Sequence, residues 1–186
     1  MIFLDAPPRR VALAALAIAA LAACGRKTEP PKTDQPANAT AKAASGALSS
    51  SLSMANPSSS QQLVAGFYAI EDSAWRWTAK RFVAKLAAPA NAGTGGATLR
   101  FKFALPEVAL KEYEKLGISC SAGSVQIPVQ YFDTAGQHEF KAAIPPTAFQ
   151  GSAVDLTFTL DKSLPPSSTD KRELGVIALQ LALEPS

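Results

Sequence analysis

Five side chains in this 186-residue chain stand out for the chemistry that their type and spacing allow: Cys24, Trp75, Arg76, Trp77 and Arg172. Trp75 and Trp77 are two residues apart, so on a strand both indoles face one way and Arg76 faces the other. Side by side in solvent, two indoles present apolar faces on which sugar rings stack. The competing reading makes both of them core residues, the commoner habit of large aromatics, with Arg76 paired internally. Arg172 lies within Asp170-Lys171-Arg172-Glu173. Its planar fork suits a ligand carboxylate or phosphate. It suits equally an internal ion pair at a loop end, with Glu71 the expected partner. Cys24 closes an apolar run near the start of the chain.

The other reactive types form no constellation. His138 is the single histidine, and the chain has no Gly-x-Ser-x-Gly elbow to supply a nucleophile for it. One histidine and one distant cysteine fall short of a metal site, so neither a metal nor a cofactor is expected. Gly93-Thr94-Gly95-Gly96 lacks the Lys-Ser/Thr ending of a phosphate loop, and the carboxylates show no glycosidase spacing. The expectation is a non-enzymatic binding or positioning module. Its rivals are a periplasmic hydrolase whose carboxylates only the fold brings together, and a purely structural module that docks on a partner's sheet edge. Cys120, in Ile118-Ser119-Cys120-Ser121, reads as a small buried apolar residue.

The first 23 residues have the layout of an export signal. Arg9 and Arg10 precede an apolar run from Val11 to Ala22, and small residues follow. The run is about 18 Å long as a helix, at about 1.5 Å per residue. A bilayer core needs about 20 apolar residues, so this is a signal h-region. Leu21-Ala22-Ala23-Cys24 resembles the lipobox of bacterial lipoproteins. That resemblance implies cleavage before Cys24, a diacylglyceryl group on its sulfur and a membrane as partner. Two or more acyl chains give stable attachment where one does not. Gly25 in place of Asp favours the outer membrane, periplasmic face, over the inner one.

From residue 24 to 61 the composition is Pro, Ala, Ser, Thr, Asn and Lys, too poor in bulky apolar residues to fold, and it reads as a flexible tether. A random coil of that length spans on the order of 35 Å. Charge divides along the same boundary. The formal net charge of +3 is accounted for by the signal and the tether, which leaves residues 62–186 balanced. A neutral domain has no basic face, so no nucleic-acid partner is expected. The charge gives no oligomeric state.

Residues 62–186 alternate with the period of two that marks half-buried strands. Leu99, Phe101, Phe103 and Leu105 share a face, as do Val154, Leu156, Phe158 and Leu160. Val125, Ile127, Val129 and Tyr131 make a third set, and the apolar Gly175–Leu183 stretch suits a central strand. Val108, Leu110, Tyr113 and Leu116 suggest a short helix over 107–116, after Pro106 and before Gly117. Asp133-Thr134-Ala135-Gly136 is a hairpin loop, which puts His138 on an exposed hairpin, and Asn91–Gly96 is a longer connection. The pattern predicts an all-β domain: one antiparallel β-sandwich of about seven or eight strands, with a small barrel as the alternative.

Gly66-Phe67-Tyr68, Glu71, Arg76-Trp77-Thr78 and Asp170-Lys171-Arg172-Glu173-Leu174-Gly175-Val176 resemble a family of bacterial β-sandwich modules. These modules occur in lipoproteins of unknown function and are appended to some glycosyltransferases. The resemblance implies a fold and an envelope or glycan setting. The lipobox, the tether and the lack of a catalytic constellation make a glycan or an envelope protein the expected ligand. It brings no active site.

Overall fold

Alternate burial builds the strands. The computed structural model describes residues 47–186, so the expected export signal, Cys24 and the expected tether up to residue 46 lie outside the described residues. Nine strands follow: β1 (Ser51–Ser53), β2 (Leu63–Glu71), β3 (Trp75–Ala87), β4 (Ala97–Leu105), β5 (Leu116–Ala122), β6 (Val125–Phe132), β7 (Gly136–Ile144), β8 (Ala153–Leu160) and β9 (Ile177–Pro185). Two short helices interrupt them, α1 (Ala92–Gly95) and α2 (Glu107–Tyr113). No described helix is long and apolar enough to cross a membrane.

All strand pairs are antiparallel, and the main path runs β6-β5-β8-β3-β9-β4-β7. β3 is the hinge of this path. Its Arg81–Ala87 half pairs with β8 and its Arg76–Trp77 end pairs with β9. The two halves of the sheet thereby fold face to face over one core. Phe158 on β8 meets Phe101 on β4 at 4.9 Å between ring centres and Phe140 on β7 at 5.9 Å. Phe82 stacks on Phe158 at 4.9 Å. Aromatic pairs at such spacings add to the burial of their apolar area. The expected antiparallel sandwich is present. Central β9 pairs with β4 along one edge, and with β3 and then β1 along the other.

Four local expectations change. On β6 the expected inward set breaks after Ile127, and Val129 and Tyr131 are 44% and 57% exposed. Between the pairs Cys120–Ile127 and Ile118–Gln130, β6 carries one more residue than β5. That bulge reverses which side chains face inward, so Phe132 packs on Phe103 instead. Pro128, which has no N–H to give, sits within it. The helix ends earlier than expected, at Tyr113, because Glu114 takes φ +56° and reverses the chain. It turns Ala109 inward and leaves Val108 54% exposed. Gly93 to Gly95, expected in a loop, lie in the single turn of α1.

The fourth change concerns the tether, which was expected to run to residue 61. Leu52 and Met54 are instead 2% and 0% exposed, and β1 pairs with β9. The Gln62 side chain bonds Ser49 N–H, the Ser49 carbonyl and the Lys85 carbonyl at 2.7–2.9 Å. Ser59 is buried too, its hydroxyl donating to the Ser53 carbonyl. A Ser-Leu-Ser strand is too short to show a period, yet it completes the β9 edge. Leu52→Ala or Met54→Ala is therefore expected to destabilise the domain by about 2–5 kcal/mol. Urea unfolding that is unchanged in both variants would return this segment to the tether.

Candidate functional site

β3 decides the fate of the candidate side chains. Phe82, Ala84 and Leu86 face the core, and Arg76 and Thr78 share their parity. Arg76 is accordingly 6% exposed, while Trp75 and Trp77 lie half-buried on the outer face. This corrects both expectations for the segment, since the indoles are neither core residues nor fully exposed. Arg76 is turned into the protein, away from the outer face. Its guanidinium donates to the Met54 carbonyl (3.3 Å), the Tyr68 carbonyl (3.0 Å) and the Ser60 hydroxyl (2.7 Å). None of these acceptors is charged, and burial lowers the Arg76 pKa from its ordinary value. The side chain ties the N-terminal strand and β2 to β3.

Arg172 has the opposite setting. It lies at the outer surface, in the long loop before β9, between two carboxylates. Nη1 donates to Glu71 Oε1 at 2.6 Å, while Nε and Nη2 grip Asp170 at 3.0 and 2.7 Å. The guanidinium carbon lies 5.1 Å from the centre of the Tyr68 ring, a cation–π distance. The expected partner Glu71 is thus the observed one. Hydrogen bonds from Arg172 hold the Asp170 carboxyl down at about 2. They hold Arg172 itself above its usual range.

The same loop is pinned at further points. Tyr68 donates its hydroxyl to the Glu173 carbonyl at 2.8 Å, and Ser163 donates to the Glu173 carboxylate at 2.8 Å. Leu164 and Leu174 bridge back to back. Gly175 lies so close to Thr78 and Leu160 that a Cβ would sit 2.6–2.7 Å from their atoms. Gly66, at φ +75°, presses against Arg81 and Phe82 in the same way. Gly66 and Gly175, both in the motifs of the family resemblance, have close backbone approach as their physical reason.

Trp75 is the cross-strand partner of Glu71, so the two side chains share the outer face. Trp75 and Arg172 thereby adjoin Glu71, Trp77 adjoins Trp75, and Arg76 faces the other way. Trp75 meets Trp77 at 6.0 Å with ring planes 85° apart, so the two make no common flat platform. On the other side of Arg172 opens a cavity of about 330 Å³. Val108, Leu164, Pro165 and Pro166 make its apolar wall, and Glu112, Asp170 and Arg172 are its charged residues. Sites of this size with a few convergent polar groups suit small ligands or single side chains. Exposed Val108 was the available sign of this cavity, but helical periodicity had placed it inside.

The remaining candidates are structural. Cys120 is 2% exposed, and burial raises the pKa of its thiol, which makes it a poor nucleophile. His138 is not simply exposed on its hairpin. Its ring packs against Phe103 and Phe132 at 5.6 and 5.2 Å, and Nε2 lies 2.7 Å from the Thr134 carbonyl. Among the described residues no group of three His, Cys, Asp or Glu side chains converges to hold a metal ion.

No family model and no curated protein matches the chain. Among solved structures it is similar to a family GH115 4-O-methyl-alpha-glucuronidase with specificity for decorated arabinogalactans. That similarity has 14% identity and a TM-score of 0.48, over 77% of this chain and 18% of that one. This chain spans less than a fifth of that enzyme, and the likeness says nothing of what it binds or does.

The Arg172 cluster has a pH signature. The Asp170 carboxyl is held below its unfolded value of about 3.9, so the folded chain binds fewer protons in that range. Its stabilisation is complete above about pH 4 and is lost as the pH falls toward about 2. Asp170→Asn is expected to flatten the dependence of unfolding free energy on pH in that acid window. An unchanged acid slope in the variant would show that the pair contributes nothing.

Proposed function

We propose that this chain is an exported lipoprotein, held to a membrane by acyl chains on Cys24. In this reading its β-domain binds or positions another component of the cell envelope and performs no chemistry itself. One observation carries the reading: a charged start and an apolar run close on Leu21-Ala22-Ala23-Cys24, followed by a polar stretch too poor in apolar residues to fold. Acyl chains on that sulfur would hold the domain at the bilayer.

The geometry around Arg172 supports binding over catalysis. A general acid working near neutral pH needs a raised carboxyl pKa, and Asp170 is shifted the other way, to about 2. Glu71 is committed to the same guanidinium. The perpendicular indoles offer no shared plane for two sugar rings, and the neighbouring cavity mixes proline and aliphatic walls with charge. That combination favours a protein surface as the ligand over a glycan.

Two experiments test the reading. Cys24→Ser expressed in the native cell is expected to leave the protein unprocessed or released from the membrane fraction. Equal processing and equal membrane retention of the variant would overturn the anchor. A glycan array probed with the full chain carrying Cys24→Ser is expected to remain blank. Binding that disappears in Trp75→Ala or Trp77→Ala would move the ligand from protein to glycan.

A further inference from the structure

The free edges of this sheet end it in different ways. β2 is broken by three register shifts against β3. β6 carries the bulge and Pro128. Bulges and prolines blunt an edge against pairing with other chains. β7 has neither. Its nine residues, Gly136–Ile144, pair in unbroken register with Ala97–Leu105 of β4. Among the described residues no strand pairs with its other edge. The Gln130 side chain touches that edge, donating from Nε2 to the Lys141 carbonyl at 2.8 Å. That carbonyl therefore points away from β4. Strand parity turns the backbone groups of Gln137, Glu139, Lys141 and Ala143 to the same free edge.

We propose that β7 pairs antiparallel with β7 of a second copy of this chain, about a two-fold axis at Phe140, to form one sheet through both domains. A two-fold interface must be self-complementary. With the axis at Phe140, Glu139 opposes the second copy's Lys141, and Lys141 opposes its Glu139. Gln137 opposes Ala143 in the same register, and the outward backbone groups of all four residues find partners. Moving the axis by one residue sets Lys141 against Lys141 or Glu139 against Glu139. Like charges directly opposite one another destabilise a strand pair, so charge selects the register. Glu139 already accepts from Arg100 at 2.9 Å, and the incoming lysine would share that carboxylate. Gln130 would release the Lys141 carbonyl to the new ladder. A strand from a different protein is the competing occupant, but the charge pattern of this edge matches itself.

The proposal does not depend on the lipid anchor and is tested without it. Residues 24–186 carrying Cys24→Ser, with neither the apolar run nor acyl chains to gather copies in micelles, are examined by analytical ultracentrifugation. They are expected to sediment at twice the protomer mass. Adding Lys141→Glu sets carboxylates against each other on both sides of the two-fold axis and should weaken the dimer by about tenfold or more. Ala143→Pro removes an N–H that faces the free edge, so the variant should fold with unchanged circular dichroism yet sediment as a monomer. Mixing the Lys141→Glu chain with a Glu139→Lys chain should restore a mixed dimer. If Glu139→Lys fails to fold without its Arg100 contact, the other two variants decide the matter. A monomer at every concentration, whether or not a foreign strand occupies the edge, overturns the proposal. A dimer indifferent to Ala143→Pro does the same. Loss with Ala143→Pro but indifference to Lys141→Glu overturns the Phe140-centred register.

Discussion

One thirteen-residue strand has to bury Phe82, Ala84 and Leu86 while carrying the chain from one half of the sheet to the other. Because side chains alternate along a strand, that requirement also fixes the facing of Trp75, Arg76, Trp77 and Thr78. The core phenylalanines thus place a guanidinium inside and two indoles outside. The outer corner is a consequence of how the core is packed. Pairing of Trp75 with Glu71 then gathers the β2 carboxylate, the Arg172 loop and the indoles into one neighbourhood.

The two arginines show how setting decides role. Arg76 is buried among two carbonyls and a hydroxyl, where removing it would strand those acceptors as well as the packing around its stem. Its effect is to fasten a short N-terminal strand onto the sandwich. Arg172 is a third exposed and flanked by two carboxylates, which water and salt screen in part. Its worth lies less in energy than in geometry. Its bidentate grip on Asp170 and its place over Tyr68 give a long proline-bearing loop a defined shape. Pro165 and Pro166 add rigidity to the cavity wall, since proline has little backbone freedom to lose.

Most strands were legible in the sequence because β4, β8 and β9 are built from apolar residues at the period of two or in a continuous run. The facing of Arg76 was legible as well, had the alternation been followed through to Leu86. The β6 bulge was harder to read, because a single extra residue leaves the apolar letters in place while reversing their direction after Pro128. β1 left no periodic trace at three residues, and its place became clear from the second edge of β9. The pairing of Arg172 with Glu71 followed from charge type. The cavity beside it did not, because Val108 carries an apolar letter in an amphipathic pattern and still faces solvent. Nothing in composition separates a core valine from a valine at the mouth of a cleft.

The proposed function joins a balanced sandwich, a rigid charged corner and a long polar stretch before it into a module held at a surface to meet other proteins. Intact-mass spectrometry of the mature N-terminus from native membranes examines that idea most directly. It should find Cys24 as the first residue, with a diacylglyceryl thioether on its sulfur. A free thiol at Cys24, or a chain that still begins at Met1 in the soluble fraction, would contradict it.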